Sequence, residues 1–378
     1  MAVLTDEQTM LKDAAKGWAA ERSPVAALRK LRETGVDVAF DRAAWREMGE
    51  MGWAGVVVPE AYGGSEFGYR SLGLVLEETG RTLTNSPLLS TALVATSALV
   101  LGGTAAQKAA WLGKIAAAEA VVTLAMEEGP HHAPARTALA AATTADGWAL
   151  TGKKLFVLDA MAADAFIVAT RTSGAPVDEA GITLFLVPAD LAGVSRTRLS
   201  TVDSRGAGDV SFDRVKVGAD AVLGQVDQGF GLLDQVLDRA RAGLAAEMLG
   251  LASQAFEITL DYLKTRTQFG QLIGTFQALQ HRAAKMFTEL EMTRSCVEAA
   301  LDAIDGNAND VRALCSLAKA KASETVHLVS NEMVQMHGGI GMTDAHDAGL
   351  YMKRARVSEA LFGGASFHRD RYATLMGF

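Results

Sequence analysis

DRARAGLAAEMLGLASQAFEITLDYLKTRTQFGQLIGTFQALQHRAAKM, residues 238–286, is the stretch on which the reading of this chain turns. Leu244, Met248, Leu251, Phe256 and Leu260 recur at intervals of three to five residues, and Leu279, Ala283 and Phe287 resume the pattern. Apolar residues at that spacing line one face of an α-helix. The stretch therefore predicts two long helices joined between Gly270 and Gly274. The joint carries a guanidinium, Arg266, with the neutral hydrogen-bonding groups of Gln268, Thr275 and Gln277 and the ring of Phe269. Glycines beside them permit close backbone approach, and arginine suits phosphate. Such residues fit an anionic, aromatic ligand such as a dinucleotide, and a merely structural hairpin needs fewer of them.

Outward from this stretch the periodicity divides the chain. From Gly229 the pattern is helical, with turns at Asp305-Gly306-Asn307 and Gly338-Gly339-Ile340-Gly341, which reads as an antiparallel bundle of four long helices. Upstream, VVTLAM, GWALTGKKLFVLDA, ADAFIVATRT, GITLFLVPAD and GDVSFDRVKV are short, rich in Val, Ile, Leu and Thr, and bounded by Gly, Asp and Pro. They read as a small antiparallel barrel or sandwich. The N-terminal part opens with a capping box, Thr5 with Gln8, and an apolar pattern through Trp18. Helical segments follow at 41–51, 71–81, 88–101 and 105–118. A chain of 378 residues exceeds one compact core. The expected class is α+β: an N-terminal α-helical domain over 1–119, a middle β domain over 120–225 and a C-terminal four-helix bundle over 226–378.

Composition narrows the function. Hydrophobic residues make up 49% and charged residues 21%, as in a folded soluble protein. No apolar run reaches the roughly 18 residues that a membrane span needs, and MAVLTDEQTM is not a secretory signal, so a cytoplasmic protein is expected. The formal charge of -8 argues against nucleic acid. Cys296 and Cys315 lie in helical patterns without metal-ligand spacing and read as packing residues. His131 and His132 have no third ligand spaced nearby and read as loop residues.

YLKTRTQFGQLIGTFQALQ resembles the acyl-CoA dehydrogenase signature "Y..R.QFG.pI..fQ.iq", and VQMHGGIGMT resembles that family's "qi.GG.G". WAGVVVPEAYGG, LTGKKLFVLDA, VSFDRVKV and the terminal helices fall in the family's order, so the resemblance spans nearly the whole chain. It implies a flavoprotein that uses FAD to oxidise an acyl-CoA, removing a proton alpha to the thioester and the beta hydrogen as hydride. It also implies a homotetramer, or a heterotetramer with a paralogous chain, and electron-transfer flavoprotein as acceptor. Actinobacterial-type relatives include heterotetramer subunits that act on bulky acyl-CoAs. The carried-over cofactor positions are Arg266, Gln268, Phe269, Gln277, Gln335, Gly338 and Gly339, which in relatives largely serve a neighbour's flavin across a subunit interface. Met126 and Phe156 are those of the middle domain. Asp238 matches a position near the pantetheine, and Arg241 one near the catalytic loop.

The chain departs from the family pattern at informative places. The usual threonine of "AMTEP.aGSD" is Glu127, no GSD follows, and "wIT" is replaced by Phe156-Val157-Leu158. The glutamate of "YEGT", the base in most members, corresponds to Gly363. A second family placement of the base corresponds to Ala240. Glu247 is the only charged residue between Ala242 and Phe256, and it lies seven residues, about two turns, beyond Ala240 on the same stripe. Some relatives acting on bulky acyl chains similarly carry a glutamate here within "AAE..G", so Glu247 is the candidate base, with Gly363 leaving room for a wide substrate. The competing reading of Glu247 is a structural partner for an arginine across the bundle or between subunits. For the whole chain the alternatives are an active dehydrogenase, a non-catalytic subunit that completes a neighbour's FAD site, and a related flavin oxidase or monooxygenase.

Overall fold

The computed structural model describes residues 3–35 and 38–378. In chain order the helices are α1 (Asp6–Arg22), α2 (Val25–Thr34), α3 (Arg42–Glu50), α4 (Gly68–Arg81), α5 (Thr96–Gly102) and α6 (Ala105–Ala116). Strands β1 (Val122–Ala125), β2 (Ala140–Thr144), β3 (Gly147–Leu158), β4 (Ala165–Arg171), β5 (Ile182–Pro188), β6 (Val194–Arg198), β7 (Ala207–Val217) and β8 (Val222–Leu223) follow. After them come α7 (Gly229–Thr265), the hairpin strands β9 (Thr267–Gln268) and β10 (Gln271–Leu272), α8 (Gln277–Asp305), α9 (Val311–His337), α10 (Ala348–Ala360) and α11 (Ala365–Leu375). A helical N-terminal part, a middle sheet and a helical C-terminal part are thus the architecture, as the α+β expectation has it. By contacts the chain forms two compact units.

One unit comprises the N-terminal helix, Tyr69–Thr84 and Arg241–Phe378. Here α9 is the central helix, packed by α8, α10 and α11. The expected break between α7 and α8 is the β9–β10 hairpin. The bundle has three long helices, α7, α8 and α9, and two short ones, so it is less regular than four equal helices. At the N-terminus the expected capping box is present, with Thr5 Oγ1 accepting from the Gln8 amide and Gln8 Oε1 accepting from the Thr5 amide, each at 3.2 Å. Helix α4 is buried on nearly all sides, and glycines let its backbone meet that of α7. A Cβ on Gly80 would lie 2.3 Å from the Glu247 carbonyl oxygen, and one on Gly250 would lie 1.8 Å from that of Glu77. These two contacts hold the helix that carries Glu247.

The other unit comprises Lys30–Gly68 and Asn85–Ala240. Among the described residues it contains an eight-stranded sheet in the order β6-β7-β3-β2-β4-β5-β8, with β1 also paired to β4. Its core includes Phe166, Phe185 and Phe212, and Trp148 meets Phe185 edge-on with ring centroids 5.6 Å apart. An all-antiparallel arrangement is corrected here: β1 runs parallel to β4, and β2 meets β4 through a parallel pair. The β2–β3 hairpin intervenes between β1 and β4, giving the chain the length that a parallel return requires. Two local expectations change as well. Residues 88–101 divide into a π-helical stretch, Leu88–Ala95, and α5, and α2 was not anticipated.

Candidate active site

In the bundle unit the candidate base sits inside the packing. Glu247 is buried, and its Oε1 lies 3.9 Å from Nη1 of the buried Arg354 on α10. That separation is an ion pair in register, longer than a hydrogen bond. The partnership with an arginine across the bundle, anticipated as the competing role, is therefore real. Arg241 is also fully buried, and its guanidinium lies 5.8 Å from the centre of the Phe367 ring. Asp238 and Ala240, earlier on α7, are buried too.

Gly363 follows α10 in a tight turn. Phe362 has φ +56° and Gly363 φ +103°, and the latter belongs to backbone that glycine adopts far more readily than other residues. The turn is gripped from beneath. His368 Nε2 lies 3.0 Å from the Phe362 carbonyl oxygen, and Lys319 Nζ donates to the Gly363 carbonyl at 2.8 Å. Lys319, Arg354 and His368 escaped the sequence reading. A signal for Lys319 was available: Cys315, Lys319, Ala322, Val326 and Val329 repeat at four- and three-residue spacing along the buried face of α9.

The carried-over cofactor residues of this unit gather at one end of the bundle. Arg266, Gln268 and Phe269 lie on or beside the β9–β10 hairpin, and Gln277 opens α8. All four are exposed, Phe269 at 89%. Phe269 has φ +56° and meets Phe276 edge-on at 6.1 Å. The far end of α9 brings Gln335, Gly338 and Gly339, also exposed. Tyr262, four residues before Arg266, ties the two segments: its ring lies 4.4 Å from that of His337, and its hydroxyl donates to the His337 carbonyl at 3.4 Å. No atom lies within 4 Å of where a Cβ would stand on Gly338 or Gly339, which leaves their backbone open to a ligand.

In the sheet unit, Phe156 and Met126 occupy adjacent, interlocked segments. The pairing of β3 with β7 shifts register between Lys154 and Val157. A bulge of this kind turns side chains out of the regular alternation, and Phe156, at φ +50°, is 55% exposed. Met126 is buried, and its carbonyl accepts from Lys154 Nζ at 3.1 Å. Lys154 also meets Glu128 at 2.6 Å, and Glu128 accepts from the amides of Ala138 and Leu139. Burial pushes the Lys154 ammonium down, and Glu128 opposes that shift. Glu127 lies 2.6 Å from His132 Nδ1. Among the described residues, no group of three His, Cys, Asp or Glu side chains could hold a metal, and no helix is long and apolar enough to cross a membrane.

Comparisons with known proteins agree along the whole chain. The family models described as acyl-CoA dehydrogenase N-terminal, middle and C-terminal domains match residues 5–119, 123–215 and 227–376. The probable acyl-CoA dehydrogenase YngJ of Bacillus subtilis is 30% identical over 97% of this chain and 97% of its own. Among solved structures, a steroid ACAD variant is 33% identical with a TM-score of 0.89 and 98% coverage of both chains. The ChsE4-ChsE5 complex of Mycobacterium tuberculosis is 26% identical with a TM-score of 0.90 and complete coverage of both chains.

Proposed function

This chain belongs to the acyl-CoA dehydrogenase family, a family of FAD-binding oxidoreductases, and from that premise we propose that it carries out the α,β-dehydrogenation of an acyl-CoA with a bulky or non-standard acyl group. The observation that carries the reading is the buried carboxylate of Glu247 on a helix locked by backbone contact. A general base must be held rigidly and apart from bulk water, and Glu247 meets both conditions. Its task is to take the proton alpha to the thioester. Arg241 is buried and its guanidinium lies against the Phe367 ring on α11, the helix that follows the Gly363 turn. The glycine at 363 has no side chain to intrude on a wide acyl group. The likeness to a steroid ACAD supports a bulky substrate class.

The residues present fit FAD. The bundle end offers one guanidinium, three carboxamides, open glycine backbone and an exposed aromatic ring, the donor set for a pyrophosphate and an aromatic base. In the sheet unit, Phe156 offers an aromatic face. When bound, the flavin would accept the beta hydrogen as hydride. Electron-transfer flavoprotein would be the acceptor.

A second reading is a non-catalytic subunit that completes the FAD site of a paralogous partner. It is favoured by Glu127, whose carboxylate is engaged by His132 where relatives present a hydroxyl, and by likeness to a two-name complex, ChsE4-ChsE5. The deciding experiment is the visible spectrum and native mass of the chain purified alone and with a co-expressed paralogue, followed by turnover of the Glu247→Gln variant. A yellow tetramer on its own whose turnover disappears in Glu247→Gln supports the dehydrogenase. Undiminished turnover in that variant removes Glu247 as the base, and a chain that becomes yellow only with its partner selects the second reading.

A further inference from the structure

Lys319 lies on α9 with no exposed surface, and the proposed chemistry leaves it without a task. Its Nζ donates to three acceptors: the carbonyl of Gly363 at 2.8 Å, the carbonyl of Glu359 at 3.1 Å and Ser323 Oγ at 3.1 Å. An ammonium has three N–H groups and no acceptor, so each proton has a place. Two of the acceptors are backbone oxygens that bracket residues 359–363, the end of α10 and the turn beyond it. Filling the core would not require this arrangement. A buried ammonium is costly to desolvate, and methionine would occupy a similar volume without that cost.

The turn it holds departs from common backbone geometry at Phe362 and Gly363, and such conformations persist only where their surroundings over-determine them. Two helices grip the turn directly, α9 through Lys319 and α11 through His368 on the Phe362 carbonyl, and α11 is in turn met by α7 through Arg241 over Phe367. We propose that Lys319 is a positioning residue for the dehydrogenation, fixing from the core the backbone of residues 359–364 that stands where most relatives carry their catalytic base. The proposal rests on the dehydrogenase reading for its consequence in turnover. Its structural half stands on the hydrogen bonds alone.

The clamp is also sensitive to pH. Burial pushes the Lys319 ammonium down to about 7, with Glu359 from α10 opposing the shift and Arg241 from α7 adding to it. On its own helix the facing group is the neutral Ser323, and α11 brings His368 to the same turn. Deprotonation leaves two N–H groups, enough for the two backbone carbonyls with Ser323 donating to the amine, but replaces charge-assisted hydrogen bonds by weaker neutral ones, so the hold on the turn weakens as pH rises through that value.

The test uses the full chain and its Lys319→Met variant. Amide hydrogen exchange is followed in peptides covering 359–368, with the hairpin at 266–272 as internal control. The variant should exchange at least about tenfold faster in 359–368 and at the wild-type rate in the hairpin. In the wild type, exchange there, corrected for its intrinsic pH dependence, should quicken between about pH 6 and about pH 8.5, and Lys319→Met should lack that change. With octanoyl-CoA and a steroid side-chain acyl-CoA as probes and an artificial electron acceptor, kcat should fall about tenfold or more while KM stays within about threefold. Unchanged exchange in the variant overturns the clamp, and a wild type without the pH change overturns its pH sensitivity. A loosened turn with unaltered kcat overturns its catalytic consequence. If Lys319→Met does not fold, the same exchange comparison is made with Lys319→Gln, and unchanged exchange at 359–368 in that variant overturns the clamp. If the wild type turns over neither thioester, the dehydrogenase reading fails separately, and the exchange result still decides whether Lys319 holds the turn.

Discussion

Replacing Gly250 by alanine would test whether the contact of α4 with α7 holds the candidate base. The added Cβ would lie 1.8 Å from the Glu77 carbonyl oxygen and 2.7 Å from its carbon. A carbon meets a carbonyl oxygen comfortably at about 3.3 Å, so the helices must part by roughly 1.5 Å. Both sides of the contact are backbone, which leaves no rotamer to absorb the strain. Overpacking of this kind costs up to about 3 kcal/mol or somewhat more. Alanine recovers about 1 kcal/mol of helix propensity, so the clash wins and the net loss is about 2 kcal/mol, roughly a 30-fold shift in the folding equilibrium. Gly17→Ala is the control: this exposed position in α1 has no atom within 4 Å of the new Cβ. There only propensity acts, and the variant should gain up to about 1 kcal/mol. Urea titrations followed by circular dichroism measure both. A shift of about 1 Å at Glu247 should also lower kcat by about 100-fold. Stability in Gly250→Ala equal to that of the wild type, or equal losses in both variants, would refute the reasoning.

Two further outcomes are expected. Arg266→Ala should lower the flavin-to-protein absorbance ratio of the purified protein while its circular dichroism stays unchanged, and full flavin retention would make the hairpin motif structural. Asp159→Asn should stabilise the protein at pH 8 and have little effect at pH 4. Burial raises the Asp159 carboxyl to about 6, against the hydrogen bond from Ser90 and the charge of Arg205. Between its unfolded value near 3.8 and about 6 the native state therefore binds more protons, stability rises as pH falls through that window, and the penalty is complete above it. Equal shifts in thermal midpoint at the two pH values would count against this account.

Much of the helical architecture was legible because it is written locally. The 3.6-residue periodicity of α7 and α8, the glycines at their joint and the Thr5–Gln8 box each report a choice made within a few residues. The middle sheet was legible as strands and less so as a sheet. The parallel pairing of β1 with β4 is a choice among distant partners, and the short apolar runs that compose these strands suit either direction. The π-helical stretch at Leu88–Ala95 was hidden for a different reason: its residues are buried throughout, so no amphipathic period marks its winding.

The site divides along the same line. Arg266, Gln268, Phe269 and Gln277 could be read from one continuous stretch, and Gln335 with its glycines from another, because each set lies on a few consecutive residues. Glu247 could be singled out as a lone charge in an apolar run, yet its nearness to Arg354 depends on the packing of α10, more than a hundred residues away. Lys319 was the harder case. Beside Lys321 it reads as one more solvated lysine on a long helix, and only its register with Cys315, Ala322 and Val326 assigns it to the core. What makes it informative is that a buried cation needs acceptors, and two of its three are the carbonyls of Glu359 and Gly363. The turn at Gly363 is thus held by an interaction that its own residues would not have revealed.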